Sequence, residues 1–499
     1  MGIIQRQGLK HAIVSYGGVA LGILSTIFIY PKATELYGLF NLIFGGAVLC
    51  ISFFMLGFNI HSVKFFPVFQ NEKNGHNGFL GFLLTGISVG FILFLILLPL
   101  IKYFLLDILF KENENRELFA SYFYFIVPIV FLLSFNTIFL RYISNFHRIV
   151  IPNILDQFLI KITLPSLCLL YLGGFISINN FLIGIVINYL IVFIGLIIYT
   201  KWLGQFHLKT NFKFITKPLA KNLQENSLFG LLNSLGSQIA FRIDTIMVMA
   251  MLNISTGGVY AIVNVISDVI TKPYKAISAI ASPIISKSLN VNDMEEIKTI
   301  YQKSSITLLI IGWFIFLGIW GSIDDLILIM GKETIRPAKY VVLFLGLAKI
   351  VDLATSVNSE IIYYSKKFQF NFYALMFLAV LNVILNLIFI PKYGITGAAL
   401  ATFCSISIFN LAKLFFIWFQ FSLQPFSFST LKILLIAGIS WGLIYMLPLD
   451  FHPFINIMLR SICLTIIYGG LTLFFNVSPD VNGMVKMGWE KVLKIFKIQ

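Results

Sequence analysis

Apolar residues in this chain gather in long unbroken runs, separated by short polar segments. They do not recur every third or fourth position, as they would on a half-buried helix of a soluble domain. A hydrocarbon core about 30 Å thick needs about 20 consecutive apolar residues in a crossing helix. The pattern predicts fourteen such spans, at about 9–30, 39–63, 79–101, 118–141, 150–173, 178–201, 224–251, 256–282, 301–323, 338–362, 369–391, 394–419, 430–448 and 453–476. The first run is too long for a signal-peptide core and shows no small-residue cleavage pattern, so it reads as a retained span. The expected fold class is an all-α polytopic membrane protein, because lipid leaves no partner for an unpaired backbone group.

The polar segments suggest an organisation. A long basic connection carrying Lys201, Lys209, Lys213, Lys217 and Lys221 separates six spans from eight. The expected parts are an N-terminal lobe over 1–205, a cytoplasmic connection over 206–223 and a C-terminal lobe over 224–419. Two additional helices over 420–476 and a basic tail over 477–499 follow. The turn Glu35-Leu36-Tyr37-Gly38-Leu39-Phe40 after the first span looks like Thr256-Gly257-Gly258-Val259-Tyr260 after the seventh. Each carries glycine beside an aromatic, which suggests an internal repeat; the plainer reading is that any helical hairpin needs such a turn. Parallel repeats of this kind flank a substrate path in other transporters. With the N-terminus in the cytoplasm, twenty Lys and Arg fall in inner segments and eight in outer ones. The excess of inner cations sets that orientation and puts both termini inside.

Composition narrows the function. Of 499 residues, 58% are hydrophobic and 11% charged, against about 25% charged in a soluble domain. Too few charges remain to cover a water-facing surface, which excludes soluble enzymes, nucleic-acid binders and disordered chains. The net charge of +15 sits between and inside the apolar runs, not on one basic face. Cys50, Cys168, Cys404 and Cys463 lie within apolar runs, and the six histidines show no ligand spacing, so no metal and no cofactor is expected. No nucleotide-binding glycine loop and no nucleophile elbow is present. Outer segments are short, the longest being about 102–117 and 324–337.

The chemistry therefore rests on ionisable residues at membrane depth, each costing about 2.5–3.5 kcal/mol on insertion scales. Eight cations fall in spans, namely Lys161, Arg242, Lys272, Lys275, Lys349, Lys413, Lys432 and Arg460, against five acids, Asp156, Asp244, Asp268, Asp352 and Glu360. Asp268, Lys272 and Lys275 share one helical face, with Asp268 and Lys272 spaced to pair. Lys275 has no evident partner on its helix and lies beside Pro273, so this stripe suits an anionic substrate; the competing reading is an interhelical ion pair plus one snorkelling lysine. Arg242 follows Gln238 and Ser234 on one face, while Asp244 points elsewhere; a guanidinium grips phosphate through its planar fork. Lys349 and Asp352 are spaced to neutralise each other. The five acids are candidate coupling or gating carboxylates, with a structural ion pair as the alternative for each. Lys413 and Arg460 suggest pairing between helices.

Two strings carry a resemblance. One is Pro391-Lys392-Tyr393-Gly394-Ile395-Thr396-Gly397-Ala398-Ala399-Leu400-Ala401-Thr402; the other is Phe241-Arg242-Ile243-Asp244-Thr245-Ile246-Met247 followed by Gly258-Val259-Tyr260. With the span count, they resemble the multidrug/oligosaccharidyl-lipid/polysaccharide exporter superfamily, and within it the polysaccharide flippases of bacterial surface-glycan assembly. The resemblance implies a non-enzymatic transporter of the bacterial plasma membrane, working by alternating access of two lobes around a cationic cavity. Its substrate would be undecaprenyl-diphosphate-linked oligosaccharide, moved from inner to outer leaflet, with Arg242, Lys272, Lys275 and Lys349 on the diphosphate. Implied partners are this lipid-linked substrate, membrane lipids, a proton or sodium gradient and other glycan-assembly proteins. The related lipid II flippases resemble this layout but place arginines in the first lobe's cavity. Here the only cation between Lys10 and Lys64 is Lys32, which argues against lipid II as substrate. The alternatives are an ion-coupled multidrug or metabolite antiporter of the same superfamily, and a membrane glycan polymerase or ligase. The excess of in-span cations over acids favours an anionic passenger, and the short outer loops disfavour the enzyme.

Overall fold

A computed structural model describes residues 17–110, 115–146, 148, 150–331, 335–447, 449–483 and 485. The described residues are helices joined by short turns, with no strand among them. Their outward faces are apolar; Phe419 and Phe474 expose about four-fifths of their surface. A helical exterior of this kind is stable in hydrocarbon and not in water. This is a multi-pass membrane protein.

The first compact unit is Met1–Ile262. It holds α1 (Gly17–Phe28), α2 (Thr34–Phe54), α3 (Phe58–Lys64), α4 (Phe79–Tyr103) and α5 (Ile126–Ser144). It continues with α6 (Leu159–Leu172), α7 (Ile178–Trp202), α8 (Lys217–Met251) and the start of α9 (Ile254–Asp268). Helix α5 packs between α2 and α7, and α8 lies along α2 and α3. Close approach depends on small residues, since helices in lipid associate by packing and not by a hydrophobic drive. On α4, a Cβ at Gly86 would collide with the Phe58 ring and one at Gly90 with the Phe54 carbonyl.

The second compact unit is Val263–Gln499. It contains the rest of α9, then α10 (Lys272–Asn290), α11 (Met294–Gly321), α12 (Ile323–Met330) and α13 (Ala338–Thr355). There follow α14 (Asn358–Tyr364), α15 (Gln369–Phe421), α16 (Phe428–Tyr445) and α17 (Pro453–Leu464). Helix α13 packs on α15 and α11, and α11 on α10 and α16. Ile270, Leu308, Leu353 and Ile433 form part of this unit's core.

Two breaks shape the second unit. Helices α13 and α14 make one span bent by 48°, with Ser356 between them at φ 45°. A non-glycine residue there is held by its surroundings at a cost of about 1–3 kcal/mol. Helix α15 is continuous by hydrogen bonding but turns sharply at Gly394 (φ 57°, ψ −138°). That turn separates the expected runs 369–391 and 394–419, and Ala398, Ala399 and Ala401 beyond it are fully buried.

By length and apolarity ten described helices can cross a membrane, eleven with the bent pair, so the count of fourteen is not reached by that measure. The run over 9–30 lies partly outside the described residues, the run over 224–251 falls on α8, which does not meet that measure, and α15 holds two runs. The two compact units part at Ile262 and Val263, with α8 in the first. The basic residues of the expected tail, Lys486, Lys491, Lys494 and Lys497, lie outside the described residues.

Candidate functional site

The in-span charges fall into two groups, one in each unit. In the first unit, Arg242 and Asp244 diverge around α8 as their spacing requires. Asp244 is buried and accepts hydrogen bonds from the Tyr260 hydroxyl at 2.7 Å and the Thr245 amide at 2.8 Å. Arg242 is exposed, with its guanidinium 5.8 Å from the Phe44 ring centroid. Phe44 stacks on Tyr189, and the Tyr189 hydroxyl lies within electrostatic range of both Asp156 and Arg242. Asp156 sits on the π-turn Ile154–Phe158, a distortion that is found often at functional sites.

In the second unit, Lys349 forms an ion pair with Asp268 at 2.7 Å. Two expected pairings are therefore replaced: Asp268 meets Lys349 and not Lys272, and Asp352 accepts from the Asn410 amide at 3.2 Å and not from Lys349. The reason is packing, since Asp268 and Lys349 come from different spans. Lys272 and Lys275, at the start of α10, are exposed, and neither has an ion-pair partner among the described residues. Arg460 donates to Asp325 at 2.5 Å and to the Gly321 carbonyl at 3.1 Å. Asn456 binds the other Asp325 oxygen at 3.0 Å. This is the interhelical pairing expected for Arg460, with an acid that the sequence reading left in an outer loop.

At the α13–α14 bend, in-span charges join a buried polar group whose asparagines and hydroxyls the sequence did not single out. Lys413 of α15 is 4% exposed and donates to the Ser359 hydroxyl at 2.5 Å, with its ammonium 4.2 Å from the Phe409 ring centroid. Among the described residues it reaches no carboxylate within ion-pair distance, so its partner on the neighbouring helix is a hydroxyl. Glu360 accepts from the Tyr274 hydroxyl at 2.7 Å and from the Ser278 hydroxyl, both on α10. Asn410 accepts from Thr355 at 2.8 Å and Asn358 at 3.1 Å, closing the unwound turn. The asparagines gave no signal in the sequence, because a lone amide inside an apolar run is silent until its neighbours are known.

Residues 23–289, more than half of the chain, match the family described as polysaccharide biosynthesis protein. The chain belongs to that family. Residues 231–388 also match the MatE family. Among curated proteins, the chain is 22% identical over 274 residues to the probable low-salt glycan biosynthesis flippase Agl15 of Haloferax volcanii, covering 54% of this chain and 58% of that one. It is 28% identical over 268 residues to the uncharacterized membrane protein MJ1375 of Methanocaldococcus jannaschii, covering 51% and 60%. The match thus spans under two thirds of each relative. Among solved structures, the lipid II flippase MurJ in an inward closed conformation superposes with a TM-score of 0.70 at 17% identity, covering 93% of this chain and 98% of that one. A multidrug resistance MATE family transporter, inward-facing, gives 0.61 at 15% identity, covering 81% and 93%. At these identities the likeness is one of fold. That fold is the helical polytopic architecture expected from the sequence.

Proposed function

We propose that the protein moves a lipid-linked oligosaccharide across the plasma membrane, with undecaprenyl diphosphate as the carrier, from the inner to the outer leaflet. One observation carries this reading. Lys272 and Lys275 are two exposed cations at the start of a span-forming helix with no acid paired to them among the described residues. Lys349 and Arg460, by contrast, are held by carboxylates. Cations retained at such cost without an internal counter-ion suit an external anion, and a diphosphate answers two ammonium groups three residues apart. Arg242 and Lys349 belong to the same proposed set, Lys349 once released from Asp268. Family membership and the glycan flippase among the relatives support a glycan passenger. The process is transport and not catalysis, in a bacterial plasma membrane with both termini in the cytoplasm.

The test is translocation of a fluorescent lipid-diphosphate-linked oligosaccharide in proteoliposomes. Lys275→Gln and Lys272→Gln should each slow it at least tenfold, with insertion unchanged. Wild-type rates in both variants would remove the lysines from the site. The MatE match and the transporter-like fold favour a second reading, an ion-coupled antiporter of small metabolites or drugs. Export of organic cations with no movement of the lipid-linked glycan in the same vesicles would select it.

A further inference from the structure

The C-terminal end of α4 carries a small cavity that the proposed transport site does not use. It measures about 240 Å³ and is lined by Leu98, Pro99, Lys102, Tyr103, Asp107 and Tyr124. Three departures from the regular α-helix surround it. Pro99 lies inside the last turns of α4, the chain continues as a π-turn over Phe104–Leu109, and a 3-10 turn over Phe123–Phe125 leads into α5. A proline and a π-turn both bend a helix, and π-turns recur at functional sites.

The charges around the cavity do not cancel. The Lys102 ammonium donates to the Tyr124 hydroxyl at 3.0 Å and lies 4.5 Å from the centre of that ring. Among the described residues it meets no carboxylate within ion-pair distance. An ammonium has three donors, so two remain for a ligand. Asp107, the acid in the lining, is paired with Arg116 at 2.5 Å, and the Arg116 Nε donates to the Leu106 carbonyl of the same π-turn at 3.2 Å. That acid is already answered, so Lys102, Arg116 and Asp107 together leave one net positive charge. The flank is apolar: Ile96, Leu100 and Phe104 are each more than half exposed, as are Tyr103 and Tyr124. In a membrane such aliphatic faces meet acyl chains, and tyrosines gather where the chains give way to headgroups.

We propose that this cavity binds the phosphodiester headgroup of an anionic phospholipid, with Lys102 on the phosphate and the acyl chains along Ile96 and Leu100. A phosphodiester carries one negative charge at neutral pH, which matches the net charge of the group. A headgroup with an added ammonium brings a cation against Lys102 and fits less well. The bound lipid bridges the end of α4 and the entry to α5, where regular helical hydrogen bonding is interrupted. This site is independent of what the protein transports.

Lipid binding to the full chain in detergent, followed by native mass spectrometry, tests the proposal. Phosphatidylglycerol should bind more tightly than phosphatidylcholine. Lys102→Gln should weaken the tightest phosphatidylglycerol about tenfold, as losing one charge-assisted hydrogen bond does, and leave phosphatidylcholine unchanged. Lys102→Arg, which keeps the charge, should bind like the wild type. Equal affinity for the two lipids, or undiminished phosphatidylglycerol binding in Lys102→Gln, overturns the site. Arg116→Gln should also weaken binding, because it uncovers Asp107, and adding Asp107→Asn should restore it. No loss in the single variant, or no recovery in the double, overturns the charge match, and this pair decides the matter should Lys102→Gln fail to fold. Glycerol phosphate separates the two sources of a phosphate group. It should leave the lipid in place at equal concentration; displacement would assign the cavity to a soluble phosphate and overturn the lipid.

Discussion

Gly38 and Gly258 pack reciprocally, each against the backbone of the other's turn. A Cβ on Gly38 would collide with the Ile254 carbonyl, and one on Gly258 with the Thr34 carbonyl. Between them the Thr34 and Ser255 hydroxyls are 2.9 Å apart. The two turns that look alike in the sequence therefore touch, α2 and α9 meeting end against end. Such contact is possible only because neither glycine has a side chain.

Substituting Gly38→Val should push this contact apart at a cost of about 1–3 kcal/mol, the usual penalty for overpacking. Cysteines at Thr34 and Ser255 should cross-link readily under mild oxidation. Adding Gly38→Val should lower the yield severalfold, read as a band shift on a non-reducing gel. An unchanged yield would mean that the turns are not held together through these glycines.

Lys272 and Lys275 should behave unlike Lys349. Each of the first two, changed to Gln, should weaken binding of a lipid diphosphate by about tenfold or more, the worth of a charge-assisted hydrogen bond of about 1.5–3 kcal/mol. Thermal stability should stay within about 0.5 kcal/mol. Lys349→Gln should instead lower stability, because it strips Asp268 of its partner. The loss should be modest, below about 1 kcal/mol, since the Asp268 side chain is 45% exposed. Binding isotherms and thermal unfolding of the three variants separate the two behaviours.

Arg460→Met should be the most destabilising single change among the in-span cations. It leaves Asp325, 5% exposed, as a buried charge with only Asn456 beside it, and breaking such a pair costs about 3–5 kcal/mol. Adding Asp325→Leu should recover much of the loss. Thermal unfolding of the single and double variants in detergent measures it; a double variant no better than the single would show that the charge is not the cause.

Gly394→Ala should disturb the turn within α15. The backbone there (φ 57°, ψ −138°) is one that side-chain-bearing residues adopt only under strain, at about 1–3 kcal/mol. Lower yield of folded protein and a lower unfolding temperature are expected, and wild-type stability would contradict the turn.

The long apolar runs settled the fold class by themselves, because a bilayer imposes one demand on every residue of a span whatever its neighbours. Gly394 after Pro391 likewise announced its turn locally. The sequence could also say which residues would be costly in a membrane, since burial of charge is expensive in any fold. It could not say which of them would be reconciled with a partner. Arg460 finds Asp325 across 135 residues and Glu360 finds Tyr274 across 86, whereas the local pairs Asp268 with Lys272 and Lys349 with Asp352 do not form. Helical spacing fixes only what can meet on one helix. Which helices lie side by side is decided by packing across the whole bundle, and only that tertiary packing brings a charge such as Arg460 or Lys349 to a partner on another helix.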